Sequence, residues 1–465
     1  MIGFIARKEL VERFRDGRLL WAGGLVIALL LTALAVGFRH QEEARAEQVA
    51  AQSADYKDWL TQGRRHPHDA AHQGMHAFKP EGALALLDAG IAPYIGSTIW
   101  LQAHRQSEVK FRPAQDGTGL QRFGDLTVGW ILQVLGPLLV ILLGFNAFAG
   151  EREQGTLRQL SSLGMRPATL LWGKAAALGA SLGILLLPAG LLAAAAVAVT
   201  ADPDHAGDAI LRMALFAVGY AAYLVVFVFL TLGVSAWVAS SRAAITVLLA
   251  VWICNAILAP RLVSEVSRLI FPSPTRLAFN EALGRDLKKT SDEVWMKAFG
   301  TTERWGKDVP LSQWGIALKL DDQASYPVYD RHFGRLWDTW QQQQRVQDLA
   351  GIVMPLLAVR TFSSAMAGTD FAHHRDFTTA AERHRRLIQD IVSEDLVDHA
   401  DPIGDRHFAY QADPSLWAKV PAFDYHAPPA GWALKESGLS LIVLVLACAA
   451  AVGFARHAVV RQRVL

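Results

Sequence analysis

Histidines are concentrated in one short run, HPHDAAHQGMHAF, whose spacing could bind a metal ion. The run holds His66, His68, Met75, His72 and His76. If it is helical, His68 and His72 lie one turn apart, as do His72 and His76. Imidazoles with a thioether would suit copper or zinc. The alternative is that water-exposed segments collect histidines and that Pro67 and Gly74 make the run a loop. The sequence favours this alternative. The candidates for a metal site are His66, His68, His72 and His76.

A second stretch, GEREQGTLRQLSSLGMRPATLLW at 150–172, places charge, glycine and proline between two long apolar segments. Thr156 can accept the exposed amides of a new helix and Gln159 can reach back, which is the capping-box pattern. Gly164 suits the end of that helix, and Pro167 suits the first turn of the next one. The stretch therefore predicts a short amphipathic helix on the membrane surface, although any loop between two spans can hold a turn of helix.

Composition indicates the setting of both stretches. The chain is 52% hydrophobic and 19% charged, which is typical of a membrane protein with sizeable aqueous parts. A formal net charge of +2 gives no global signal for nucleic acid, and none is expected as a partner. Cys254 and Cys448 both lie in apolar runs, so we expect no disulfide framework.

Long apolar segments predict the transmembrane helices, which need about 20 residues each. Six segments qualify, at roughly 19–38, 127–149, 169–199, 210–238, 243–263 and 435–455. The first is too long for a signal-peptide core and follows eighteen polar-rich residues, so we expect it to be retained. The predicted fold class is an all-α membrane protein with six transmembrane helices and an α-rich extracytoplasmic domain.

Basic residues predict the orientation. They flank the spans in residues 1–18, in and beside 150–172, in the SSRA turn and after the last span. With six spans these places all fall on one side, which should be the cytoplasm. The short loop at 200–209 lies on the other side and carries aspartates but no Lys or Arg. We therefore expect a multi-pass protein of the bacterial inner membrane with both termini cytoplasmic.

This topology predicts the domain organisation. Residues 1–18 form a cytoplasmic amphipathic helix, 456–465 form a cytoplasmic tail, and 127–263 hold helices 2 to 5 with the short surface helix at 150–168. Two extracytoplasmic inserts remain, 39–126 and 264–434. The second reads as helical because apolar residues recur at three- and four-residue spacings, as in Phe333, Leu336, Trp337 and Trp340.

The stretch GEREQGTLRQLSSLGMRPATLLWGK resembles the coupling segment of the type-2 ABC exporter permeases, in the bacterial subgroup with two large extracytoplasmic inserts. The shared pattern is an acidic pair, Gly-Thr-Leu, a Leu-rich short helix, a basic residue and a Gly-Lys pair. The last pair is Gly173-Lys174. The resemblance implies a coupling helix that docks on an ATPase, with Leu157 and Leu160 seated in an apolar groove of the partner. The implied coupling residues are Glu151, Glu153, Gly155, Thr156, Leu157, Arg158, Leu160 and Arg166.

The resemblance also implies the partners. They are an ABC ATPase subunit, a second permease copy or a similar permease, the lipid bilayer and an extracytoplasmic protein. The chain has no Gly-x-x-x-x-Gly-Lys-[Ser/Thr] motif, because Lys174 is followed by Ala175. We therefore expect no enzyme activity and no cofactor in this chain, with ATP and Mg²⁺ on the ATPase.

Several functions stay open from the sequence. One is an exporter permease, and the alternative is a non-transporting transmitter that uses ATPase-driven motion to work an extracytoplasmic partner, for example in metal-protein maturation. A membrane-anchored enzyme is disfavoured because no nucleophile–base set or strong metal motif occurs. Ion coupling is disfavoured because the span interiors lack Asp, Glu and Lys. We interpret Gln133, Asn146 and Asn255 as hydrogen-bonding between helices rather than as substrate contacts.

Overall fold

The structure, a computed structural model, describes residues 1–110, 112, 126–304, 313–399 and 410–462. Its elements in chain order, with two 3₁₀ turns omitted, are α1 Ile2–Arg15, α2 Arg18–Leu60, α3 Pro67–Gln73, β1 Met75–Phe78, α4 Ala92–Ile95, β2 Thr98–Leu101, α5 Val128–Gly144, α6 Ala149–Glu153, α7 Thr156–Ser162, α8 Pro167–Thr200, α9 Ala206–Trp237, α10 Ser241–Ile253, a π-helical turn Cys254–Leu258, α11 Ala259–Ile270, α12 Arg276–Phe299, α13 Trp314–Ala350, α14 Pro355–Ala367, α15 Phe371–His399, α16 Ala430–Glu436 and α17 Gly438–Arg461.

Within the described residues, six helical stretches are long and apolar enough to cross a membrane. Each overlaps one of the segments predicted from the sequence, and the all-α membrane fold is confirmed. They are Arg18–Leu60, Val128–Glu153, Pro167–Thr200, Pro203–Trp237, Ser241–Ile270 and Gly438–Arg461.

The helix α2 is much longer than its apolar segment. It runs for 43 residues without a break, although the apolar segment ends near residue 38. Residues 39–60 contain no Gly or Pro and are rich in Ala, Glu and Gln, so nothing in them ends the helix. One rigid element therefore joins the bundle to the first insert.

Apart from α14 and the residues near 84–87, which pack in the core of the spans, the described residues of the two inserts form a body at one end of the bundle, which we call the insert domain. Its core joins both inserts, since Trp59 at the end of α2 donates its Nε1–H to the carbonyl of Trp417 at 3.0 Å. A two-stranded antiparallel sheet, with Met75 opposite Leu101, was not predicted. The sheet brings the loop after β2 back to the short helix α3 that precedes β1.

The helix α14 lies where an aqueous insert was expected, yet it contributes to the same apolar core as the spans. Leu356, Phe362 and Met366 are at most 4% exposed within that core. Phe362 fits there because Gly219 of α9 has no side chain, and a Cβ at that position would lie 2.6 Å from the Phe362 ring. With 13 residues, α14 is too short for the length criterion that identifies spans.

Polar residues within the spans are hydrogen-bonded to other segments. Gln133 donates to the Tyr220 hydroxyl at 2.9 Å, and Asn255 donates to the Tyr223 hydroxyl at 3.1 Å. Asn146 accepts from Arg18 at 3.1 Å. These contacts agree with the interhelical role predicted for the three amides, because buried amides need partners.

Candidate functional site

At the end of the bundle opposite the insert domain, charged residues from distant parts of the chain meet in a buried network. We call this end the charged end. Lys174, near the start of α8, is only 1% exposed at its side chain. Its Nζ donates to Glu9 of α1 at 2.6 Å and to Glu151 of α6 at 2.8 Å. Arg13 approaches Glu9 at 3.6 Å and donates to the carbonyl of Leu143 at 3.1 Å.

Mutual pairing offsets the free-energy cost of burying these charged side chains. An isolated buried ammonium or carboxylate costs several kcal/mol, and only close opposite charges with further hydrogen bonds offset that cost. Burial opposes ionisation of Glu9, but Lys174 and then Arg13 overcome it and hold the pKa of the Glu9 carboxyl below its ordinary value. The N-terminal helix is therefore fixed to the bundle by charge as well as by its apolar side.

Gly173 allows α1 to approach α8 closely. A Cβ at this position would lie 2.6 Å from the side chain of Ile5. The Gly173-Lys174 pair therefore has two separate roles in docking α1. The glycine leaves space for Ile5, and the lysine supplies the buried cation.

The run Glu151-Arg152-Glu153 ties the loop segment to different helices. Glu151 pairs with Lys174 and lies 3.6 Å from Lys8 of α1. Arg152 donates to the carbonyls of Ala236 and Val238, of which the Ala236 bond is 2.7 Å. These carbonyls end α9, where a cation also complements the helix dipole.

Glu153 completes these ties at the start of α10. It accepts from the backbone N–H of Ser241 at 2.9 Å and from the Ser241 hydroxyl at 2.7 Å. Free amides at a helix start favour a carboxylate, so these bonds stabilise the start of α10. The segment therefore contacts α1, α8, α9 and α10 within three consecutive residues.

The predicted cap of the short helix is wrong. The N-cap of α7 is Gly155, in the left-handed region with φ 75°, and the helix already begins at Thr156. The Thr156 hydroxyl donates instead to the carbonyl of Glu151 at 3.1 Å. A left-handed residue between α6 and α7 favours glycine, so Gly155 both turns the chain and starts the helix.

The end of α7 agrees with the sequence. Gly164 has φ 76° and donates its N–H to the carbonyl of Ser161 at 3.0 Å. Met165 donates to the carbonyl of Leu160 at 3.1 Å, which completes a Schellman motif. The next helix begins at Pro167 as predicted.

Leu157 does not have the role expected of it. Only 1% of it is exposed, and it packs in the bundle's own core with Leu160 beside it. It therefore cannot seat in a partner. Leu163, which the local sequence pattern did not indicate, is 83% exposed at the end of α7. The neighbouring exposed residues are Arg158, Gln159, Ser162 and Arg166.

In the structure, the four histidines of the run do not form a single cluster. His66 caps α3 by accepting from the N–H of His68 at 3.3 Å, and His76 lies 2.7 Å from Asp55. Met75 is buried in β1 and contributes no sulfur ligand. His68 and His72 come together with His104, which follows β2 and was missed because only the fold brings it near.

Comparison with known families bears on the charged end and on the spans. Residues 4–275 match the family described as ABC-2 family transporter protein. The chain belongs to this family. The resemblance found in the sequence is therefore confirmed, and the protein is an ABC-2 type permease, a membrane component of an ABC transporter. Family membership also implies an ABC ATPase partner.

The remaining comparisons leave the insert domain without an assigned role. Residues 278–426 match a domain of unknown function, DUF3526. None of the curated proteins matches the chain.

Proposed function

We propose that this permease is an exporter subunit and that α7 is the coupling helix through which a separate ATPase moves the spans. The observation that carries the proposal is Leu163, which is 83% exposed at the tip of a helix attached to the bundle at both ends. A large apolar side chain exposed on a charged surface is the feature that an interface pocket accepts.

The surface around Leu163 defines the partner's chemistry. Arg158 and Arg166 are exposed beside it, so the complementary groove on the ATPase has an apolar floor and acidic residues at its rim. The carboxylates of Glu151 and Glu153 already form an ion pair and hydrogen bonds within the chain. We therefore assign them to positioning α7 rather than to contacting the ATPase.

The contacts of residues 151–153 provide a route by which a displacement of α7 can reach the spans. A displacement of α7 acts on α8 and α1 through Glu151, on α9 through Arg152, and on α10 through Glu153. Packed helices and buried ion pairs resist local deformation, so such a push moves helices rather than the loop alone. ATP and Mg²⁺ are placed on the ATPase, and this chain supplies no catalytic residue.

The remaining parts of the proposal follow from charge and symmetry. We place the charged end in the cytoplasm and the insert domain outside a bacterial inner membrane, because Arg and Lys flank the spans on that one side. One coupling helix engages one half of an ATPase pair. A second copy of this permease, or a similar one, completes a two-fold assembly.

A transmitter remains the second candidate, and the helix α2 favours it. It runs unbroken from the charged end, where Arg18 contacts Asn146, to Trp59 in the insert domain. Motion entering at α7 can therefore reach the insert domain through one rigid helix. In this alternative the insert domain works an extracytoplasmic partner and no substrate crosses the bundle.

Cross-linking tests the coupling role. A cysteine placed by Leu163→Cys should cross-link to the ATPase subunit in membranes, whereas Leu277→Cys, 79% exposed in the insert domain, should not. Equal cross-linking at both positions, or none at Leu163, would refute the role of α7. ATP-dependent substrate movement in vesicles would then separate export from transmission.

A further inference from the structure

The insert domain holds a cluster of imidazoles that the permease function does not use. We propose that His68, His72 and His104 bind one Zn²⁺-like divalent transition-metal ion, with one coordination position left open. Each histidine offers one ring nitrogen, and these nitrogens all lie within 4.8 Å of one another. Two of the ligands come from α3, and the third comes from the loop after β2.

The distances fit a metal ion closely. The Nε2 atoms of His68 and His72 are 3.1 Å apart. In a tetrahedral site with Zn–N bonds of about 2.0–2.1 Å, neighbouring ligand nitrogens are separated by about 3.3 Å. The two rings therefore need to move only slightly to share an ion, and the i, i+4 spacing on α3 already points both to one side.

The third ligand is oriented by a carboxylate. Nδ1 of His104 lies 2.9 Å from Asp322 of α13, whose side chain is 7% exposed. This contact leaves Nε2 of His104 for the ion. Metal-binding histidines usually make such a bond with their second nitrogen, which fixes the tautomer and strengthens the ligand. Because Asp322 belongs to the second insert, it also connects the site across both inserts.

The backbone at His104 is unusual as well. Within the described part of the chain, it is the non-glycine residue with a left-handed conformation, at φ 64°. Its carbonyl accepts from the Tyr329 hydroxyl at 3.0 Å, which holds this conformation. Strained backbone persists where surrounding contacts enforce it, and functional sites are where it clusters.

The donor set selects the class of ion. It contains imidazoles with no thiolate, and the buried Met75 offers no thioether, so a soft Cu⁺ site is disfavoured. Three imidazoles suit Zn²⁺ and its spectroscopic substitute Co²⁺. His72 is exposed, so water or an incoming ligand can occupy the fourth position.

Metal titration of the full-length protein tests this proposal. The purified chain is stripped with a chelator and titrated with Zn²⁺, with metal content measured independently. We expect one Zn²⁺ per chain. The double variant His68→Ala/His104→Ala should lose roughly 100-fold or more in affinity, since affinity needs converging ligands. Asp322→Asn should lose about 10–100-fold.

A control from the same histidine run sharpens the test. His76→Ala should bind Zn²⁺ like the wild type, because His76 pairs with Asp55 away from the cluster. Wild-type protein that binds no stoichiometric Zn²⁺ would overturn the proposal. So would a double variant, shown to be folded by its unfolding temperature, that binds as tightly as the wild type.

Co²⁺ substitution provides a readout that needs no variant. The wild type loaded with Co²⁺ should show the intense visible absorption of a tetrahedral ion, and Zn²⁺ should displace it. A weak octahedral spectrum, or absorption unaffected by Zn²⁺, would contradict a three-histidine site. The result is independent of whether the protein exports, transmits or binds an ATPase.

Discussion

The two ends of the molecule collect polar residues in opposite ways. At the charged end, Lys174 lies between Glu9 and Glu151, so the buried charges neutralise one another. In the insert domain, three imidazoles converge with Asp322 behind only one of them. In the first arrangement oppositely charged groups pair with one another, and in the second three groups of the same kind converge on one point.

This difference is the basis of the binding role that we propose for each end. A network of buried ion pairs stabilises structure and leaves the exposed side chains around it for a partner, so we assign protein docking to Leu163 and its basic neighbours. Three imidazole nitrogens within 4.8 Å of one another form the donor set of the metal site that we propose. The two ends can therefore be disturbed separately.

The largest effect is expected at Lys174. The change Lys174→Met leaves Glu9 and Glu151 buried together without their shared cation, which should lower the free energy of unfolding by about 3–5 kcal/mol. Denaturation of the purified protein would measure it. Lys8→Met is the matched control, because Lys8 is 55% exposed and its ion pairs should contribute little. Equal losses in both variants would contradict a buried network.

Overpacking between α1 and α8 should have the next largest effect. Gly173→Leu forces Ile5 away and should destabilise the protein by about 1–3 kcal/mol. Hydrogen exchange of the α1 amides should accelerate. Gly179→Leu lies on the same helix with no atom within 4 Å of its added Cβ, and it should leave α1 protected. Unchanged exchange in Gly173→Leu would show that α1 does not need this contact.

The pH dependence of α1 docking should depend on Lys174. The folded pKa of Glu9 is below its ordinary value of 4.5, so its contribution to stability is present above pH 4.5 and is lost as the pH falls through the folded pKa. In Lys174→Met, burial without this cation favours the protonated acid. Arg13 and Lys8 still favour the ionised form, so the loss of docking as the pH falls should begin at a higher pH than in the wild type. A variant with the wild-type profile would contradict the pairing.

The smallest effect is expected at Thr156. Since Gly155 occupies the N-cap, Thr156→Ala removes only the bond to the Glu151 carbonyl, which is worth about 0.5–1.5 kcal/mol. Stability and coupled ATPase activity should stay close to the wild type. Gly155→Ala should cost more, because it places a side chain in the left-handed region. A larger loss of stability in Thr156→Ala than in Gly155→Ala would instead support Thr156 as the N-cap of α7.

The sequence predicted features that depend on local pattern. Apolar length identified the spans, and Gly164 with Pro167 marked the boundary between α7 and α8. The sequence did not predict features that depend on contacts between distant segments. His104 joins the histidine cluster only because β2 pairs with β1, and α14 enters the bundle core although it is too short to be read as a span. The side on which Leu157 and Leu163 lie is decided by packing of the whole bundle, which local spacing does not fix.

The most direct test of the coupling role is whether Leu163 holds the ATPase. Leu163→Asp should abolish co-purification of the ABC ATPase with the permease while leaving the unfolding temperature unchanged, because the side chain is already exposed to solvent. Leu277→Asp, equally exposed in the insert domain, should retain the ATPase fully. Retention of the ATPase and of ATP-driven function by folded Leu163→Asp would contradict docking of the ATPase on Leu163.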